Sequence, residues 1–259
     1  MTDAPLQGIG VLVTRPRAQA TELIEAIQSK GGSAICFPAI DIVPRDDAAI
    51  AADAATLAKP DIAIFISRNA VAHGLSHAAG AIKAATGPST AAAIRSAGQS
   101  LEIEPAEGYD SESLLAESAL QDVAGKQVRI IRGVTGRELL ADTLRQRGAT
   151  VSYLSVYERE LPKKSPESLA DIETLWRAGK INTITVMSVE TLNNLIALLP
   201  SWCVQQFEKV PLVTPAARVK KEMMARYPGS RPVQVSGPRP ADMIEAIIAI
   251  HKDRPGLAP

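Results

Sequence analysis

The sequence predicts an α/β protein: two doubly wound parallel-sheet domains, joined by a two-stranded β-ladder and written as an internal pseudo-repeat. Three observations predict it. Short apolar runs alternate with amphipathic stretches along the whole chain of 259 residues. The alternation is written twice, in the same order. The first strand of each copy ends in an arginine, Arg15 and Arg132, and the second in a serine, Ser67 and Ser188.

The elements follow in order. Gly10-Val11-Leu12-Val13-Thr14-Arg15 leads into a helix around Glu22 to Ile27, which stops at Gly31-Gly32 before the apolar stretch Ser33 to Phe37. Its counterpart is Gln127-Val128-Arg129-Ile130-Ile131-Arg132, a helix from Glu138 to Leu144, Gly148, then Ala149 to Tyr153. Ile62 to Ser67 with a helix through Leu75 matches Ile184 to Ser188 with Val189 to Leu199. Ala84 to Thr90 with Ala91 to Gly98 matches Val210 to Pro215 with Ala216 to Tyr227. Leu101 to Glu104 with Ser111 to Leu120 matches Pro232 to Ser236 with Ala241 to Ile250. Each copy supplies enough strand–helix units for a small parallel sheet.

Two extended segments follow the first unit of each copy: Ala34 to Pro44, punctuated by prolines, and Val151 to Pro162. The second alternates apolar and polar residues, the period of a strand. Pairing them makes a hinge. The chain then divides into a discontinuous domain of residues 1–35 plus 162–259, a domain of residues 46–150, and linker strands at 36–45 and 151–161. Strand ends from both domains are expected to face a crevice, a favoured setting for small-molecule binding.

Composition narrows the function. The chain is 46% hydrophobic, and its 28 basic residues balance 28 acidic ones. With no polybasic run and 3% aromatics, it lacks the basic face and stacking rings of a nucleic-acid binder. Cys36 and Cys203 stand far apart and are read neither as a disulfide nor as metal ligands. The N-terminus lacks a secretory pattern, and no apolar run approaches the ~20 residues that span a bilayer. A cytoplasmic protein without nucleic-acid or membrane partners is expected. Gly8-Ile9-Gly10 precedes its strand rather than following it, so no dinucleotide fingerprint is present. His73 and His77, four apart, lack a third ligand nearby, so no metal is expected.

The polar residues at strand ends each carry two readings. Ser67 and Ser188 suit helix N-caps, and Thr90 and Thr214 hold equivalent places. The same helix starts also bind carboxylates. Arg15, Arg132, Arg137 and Arg218 are ordinary ion-paired arginines or a set gathered for an anionic ligand, since a helix N-terminus disfavours an isolated cation. Tyr157, on the second extended segment, either packs or offers its phenol as a proton donor.

Taken together, several pieces resemble uroporphyrinogen-III synthases: Val13-Thr14-Arg15-Pro16, Phe65 to Val71, Thr90-Ala91 followed by Gly98, Ile131-Arg132-Gly133, Gly136 to Leu140, Arg147 to Val151, and Val156-Tyr157-Glu158-Arg159. The resemblance implies two flavodoxin-like domains. It implies a lyase that closes the linear tetrapyrrole hydroxymethylbilane to uroporphyrinogen III, inverting ring D and losing water, in haem and sirohaem biosynthesis, with no metal or organic cofactor. It implies Tyr157 as the candidate proton donor. Arg15, Ser67, Thr90, Tyr109, Arg132, Arg137, Ser188, Thr214 and Arg218 are then the candidate substrate-binding residues. A monomer is expected, with a transient contact to the enzyme that makes the substrate. One departure stands out: Val213-Thr214-Pro215-Ala216-Ala217-Arg218 replaces the glycine- and threonine-rich turn of many relatives. Competing readings are a non-catalytic two-domain protein that binds an anionic metabolite in its cleft, and a nucleotide-using enzyme.

Overall fold

The computed structural model describes residues 4–108, 110–136 and 138–252. The chain forms two compact units, Met1–Asp41 with Glu160–Pro259, and Ile42–Arg159. It opens with β1 (Gly10–Val13), α1 (Arg17–Ser29) and β2 (Ser33–Cys36). It then builds β3 (Asp41–Pro44), α2 (Asp47–Ala55), β4 (Ile62–Phe65), α3 (Arg68–Gly74), β5 (Ile82–Ala85), α4 (Pro88–Ser96), α5 (Ser111–Ala116), β6 (Gln127–Gly133), α6 (Leu139–Gln146) and β7 (Thr150–Glu160). The remainder adds α7 (Pro166–Arg177), β8 (Thr183–Thr185), α8 (Val189–Leu198), α9 (Ser201–Gln205), β9 (Leu212–Thr214), α10 (Ala217–Arg226), β10 (Pro232–Gln234) and α11 (Pro240–His251).

The first unit's sheet runs β10-β9-β8-β1-β2, and its pairings are parallel. The second unit's sheet runs β3-β7-β6-β4-β5, with β4, β5, β6 and β7 paired in parallel. Each sheet therefore joins the first strand pair of one sequence copy to the later strands of the other. The central strands are buried on both faces, which is why they read as unbroken apolar runs. In β1, Leu12 enters one core cluster while Val11 and Val13 enter another. In β4, Ala63 and Phe65 face one core, Ile62 and Ile64 the opposite one.

Three expectations change. The segment 151–161, expected as a linker strand, is an integral strand of the second sheet: β7 lies beside β3 and also pairs with β6 from Thr150 to Tyr157. The segment 36–45 is divided. β2 ends at Cys36, Phe37 and Ala39 bury in the first unit's core, and β3 starts at Asp41. Pro38 lacks the N–H that a continuous ladder requires. The strand expected at Leu101 to Glu104 contracts to a single bridge between Ala84 and Ile103, because the Glu102 carboxylate accepts the Lys83 N–H at 2.8 Å in place of a strand carbonyl.

Arg129 is buried in the second unit with 4% exposure. It donates to the carbonyls of Ala58 at 2.8 Å and His77 at 3.4 Å, and burial draws its pKa below the ordinary arginine range. Those carbonyls follow α2 and sit in the 3-10 turn after α3, so this cation serves helix ends that carry partial negative charge.

Candidate active site

The polar residues collect where strands end and helices begin, the ligand-binding edge of open α/β sheets. In the second unit Ser67 caps α3, its oxygen accepting the Ala70 N–H at 3.1 Å. The Tyr157 hydroxyl lies 3.1 Å from Ser67 Oγ. A bulge brings them together. Arg132 pairs with Ser155, but Gly133 pairs with Tyr157, so β7 carries one extra residue. Side chains alternate faces along a strand, and an inserted residue resets that alternation. Val156 and Tyr157 consequently face the same core. Gly133 makes room for the ring: a Cβ there would lie 2.8 Å from Tyr157 Cε2.

Tyr157 is only 1% exposed, while Ser67 is half-buried. The phenol therefore lies deeper than the Ser67 hydroxyl that it contacts. Thr90 is buried in the first turn of α4. That helix begins with Gly87-Pro88 and has no side-chain cap.

Arg132 is the penultimate residue of β6, with 5% exposure. Its guanidinium lies over the Tyr153 ring, 4.6 Å from the centroid, and its Nη1 donates to Glu138 at 3.1 Å. The Tyr153 hydroxyl donates to the other oxygen of Glu138. Hydrogen bonding by Tyr153, then by Arg132, holds the Glu138 carboxyl below its usual range. Burial, then the contact with Glu138, pushes the Tyr153 phenol upward. Arg132 also lines a depression of about 320 Å³ with Thr86, Ser111, Thr135 and Arg159.

In the first unit Arg15 follows β1, 9% exposed, and donates to the Pro238 carbonyl at 2.5 Å. Ser188 caps α8, accepting the Thr191 N–H at 3.1 Å. Thr214 is fully buried, and its hydroxyl accepts the Ala216 N–H at 3.1 Å. Arg218 is exposed in the first turn of α10, a helix with no side-chain cap and no acidic residue there. Arg15, Ser188 and Thr214 thus gather at the carboxyl edge of one sheet, and Ser67, Thr90, Arg132 and Tyr157 at that of the other. Tyr109 and Arg137 lie outside the described residues. Among the described residues no three of His, Cys, Asp or Glu come together as a metal site.

The sequence model of the family described as "HEM4: Uroporphyrinogen-III synthase HemD" matches residues 21–245. The uroporphyrinogen-III synthase of Escherichia coli K12 is 32% identical over 203 residues, covering 75% of this chain and 81% of that one. This chain belongs to the uroporphyrinogen-III synthase family. The family's fold is seen in two solved structures. A mutant synthase from the extreme thermophile Thermus thermophilus matches with a TM-score of 0.61 at 16% identity, covering 95% of this chain and all (100%) of that one. The Helicobacter pylori 26695 synthase matches with a TM-score of 0.60 at 11% identity, covering 93% and 99%.

Sequence reasoning misses that Glu138 and Tyr153 both gather on Arg132. In sequence Glu138 is only the start of a helix and Tyr153 the end of a strand; their order along the chain does not say that both reach Arg132. It also misses Gly133, whose signal is its place directly after a strand-ending arginine.

Proposed function

We propose that the protein cyclises hydroxymethylbilane to uroporphyrinogen III, inverting ring D and releasing water, as a step of tetrapyrrole biosynthesis. The observation that carries this reading is the family match across residues 21–245. The chemistry of the strand ends agrees with it. A substrate bearing carboxylates on every ring suits edges supplied with hydroxyls, guanidiniums and helix starts such as those of α4 and α10.

The reaction needs a leaving hydroxyl and a constrained pose. Protonation releases the hydroxyl as water and leaves an azafulvenium cation at that end of the chain. The substituted α-carbon of ring D attacks its methylene, giving a spiro intermediate. The bond from that carbon to the bridge from ring C then breaks, and the free α-carbon of ring D closes onto the bridge. Loss of a proton restores the pyrrole. The tetrapyrrole supplies the electrons; the protein holds the two ends together and assists departure of the hydroxyl. In this reading Ser67, backed by Tyr157, is the hydroxyl that donates outward, while Arg15, Arg132 and Arg218 meet carboxylates. Ser188 caps the start of α8, and Thr90 and Thr214 lie at the starts of α4 and α10; these helix starts receive others.

Tyr157→Phe keeps the ring against Gly133 and removes one hydroxyl. Turnover is expected to fall about tenfold, below the ~100-fold low end of general-acid contributions, because the phenol acts through a second hydroxyl. Stability should change by about 1 kcal/mol or less. Steady-state rates and thermal melts check this; an unaltered rate removes Tyr157 from the reaction.

We propose a cytoplasmic setting for the reaction, which the free thiols Cys36 and Cys203 suit as groups of a reducing compartment; no described helix is long and apolar enough to cross a membrane. Genetic complementation tests the function. Expression in an Escherichia coli strain lacking its own synthase should restore growth without added haem. Ample folded protein without growth contradicts the proposal.

A further inference from the structure

The environment of Arg132 contains more than its single ion pair requires. Its guanidinium is enclosed on three sides. Tyr153 covers one face at 4.6 Å. Glu138 takes Nη1 at 3.1 Å. Gly136 sits so close that a Cβ there would lie 2.5 Å from Nη2. Nε, in contrast, is buried without a hydrogen-bond partner. A buried donor left unmade is costly, and Nε belongs to a residue that lines the depression with Thr86, Asp110, Ser111, Thr135 and Arg159, the Asp110 carboxylate there accepting from the Ser113 N–H and hydroxyl. The side chains of Arg132 and Glu138 are 6% and 54% exposed, so the cation is buried and its counter-ion is not. The Tyr153 hydroxyl spends its proton on that same carboxylate, fixing a group that solvent would otherwise leave mobile.

We infer that Glu138 and Tyr153 are positioning residues. They clamp the Arg132 guanidinium in one orientation, so that its Nε edge meets a carboxylate of the bound tetrapyrrole in this depression. The inference rests on the proposed function and extends it to residues that touch no substrate. Stacking fixes the plane of the fork, and Glu138 fixes its rotation within that plane. Bidentate carboxylate recognition depends on both. Gly136 completes the clamp, because any side chain there displaces the guanidinium.

A double-mutant cycle tests the clamp. Tyr153→Phe retains the stacking ring and loses the hydroxyl bond; Glu138→Gln retains the shape and loses the charge. Each is expected to raise KM for hydroxymethylbilane about three- to tenfold while kcat stays within about twofold, the pattern of lost uniform binding. In an Arg132→Met background both substitutions should become silent, since residues acting through a shared partner are non-additive. Equilibrium binding of uroporphyrin III, the oxidised product, followed by porphyrin fluorescence, should show the same pattern. Unaltered KM and affinity in the single variants overturn the inference. So do undiminished effects in the Arg132→Met background, or a lowered melting temperature with normal KM and affinity. Uroporphyrin III binding that is non-additive across the variants, with a wild-type protein that forms no uroporphyrinogen III, sinks the proposed function and leaves the clamp standing.

Discussion

Replacing Gly10 by alanine is expected to destabilise the first unit by about 3 kcal/mol or more, the upper range for overpacking a filled site. Gly10 is the first residue of β1, and Asn182 grips it from both sides. The Gly10 N–H donates to Asn182 Oδ1 at 2.8 Å, and the Asn182 N–H donates to the Gly10 carbonyl at 2.8 Å. A Cβ at this point would lie 1.6 Å from the Lys180 carbonyl oxygen. The obstacle is backbone, so no rotamer relieves it, and β1 must move away from the turn that feeds β8. β1 is the strand through which β2 joins β8, so the damage spreads across the sheet. Trp176 and Trp202 are the only tryptophans of the chain and both belong to this unit, which makes their fluorescence its reporter. The fluorescence melt should fall by at least about 6 °C. A shift smaller than about 2 °C contradicts the packing described at β1.

Arg132→Met is expected to do the opposite, sparing stability and damaging substrate binding. Methionine keeps an unbranched stem of similar reach in the same buried place. The partner left behind, Glu138, is 54% exposed in its side chain and is solvated once the arginine is gone. The usual penalty for breaking a buried pair, an uncompensated buried charge, is therefore small here. The lost interaction is a charge-assisted contact with a substrate carboxylate, which implies a rise in KM of about 10- to 100-fold. A loosened pose also favours uncatalysed closure, so the share of the non-inverted isomer I should increase. A normal KM with a normal isomer ratio removes Arg132 from the site. A large fall in melting temperature makes it a structural cation like Arg129.

Much of the architecture is legible because it rests on periodicity and order. The alternation of apolar runs with amphipathic stretches implies both sheets, and the doubled order predicts that residues after Pro162 return to the N-terminal strands. Serines at strand ends are legible as caps: Ser67 and Ser188 both accept the N–H three residues on. Local rules stop short where a side chain's direction depends on a partner strand. The bulge opposite Gly133 turns Tyr157 into the core beside Ser67, and nothing in Val156-Tyr157-Glu158 announces an extra residue. The same blindness hides the Arg132, Glu138 and Tyr153 cluster, whose members come from a strand, a helix start and a neighbouring strand. Segment 151–161 departs from expectation for a related reason. Its alternating pattern identifies a strand, but not that β6 would pair with it. Pro38 reads as punctuation, when it also divides one expected strand into β2 and β3.

The central claim is that this chain directs the inverted closure of a linear tetrapyrrole. Hydroxymethylbilane incubated with purified protein, then oxidised and separated by isomer, tests it most directly. The account predicts uroporphyrin III as the dominant product, its share increasing with protein concentration. Uroporphyrin I alone, as in the protein-free control, would contradict it.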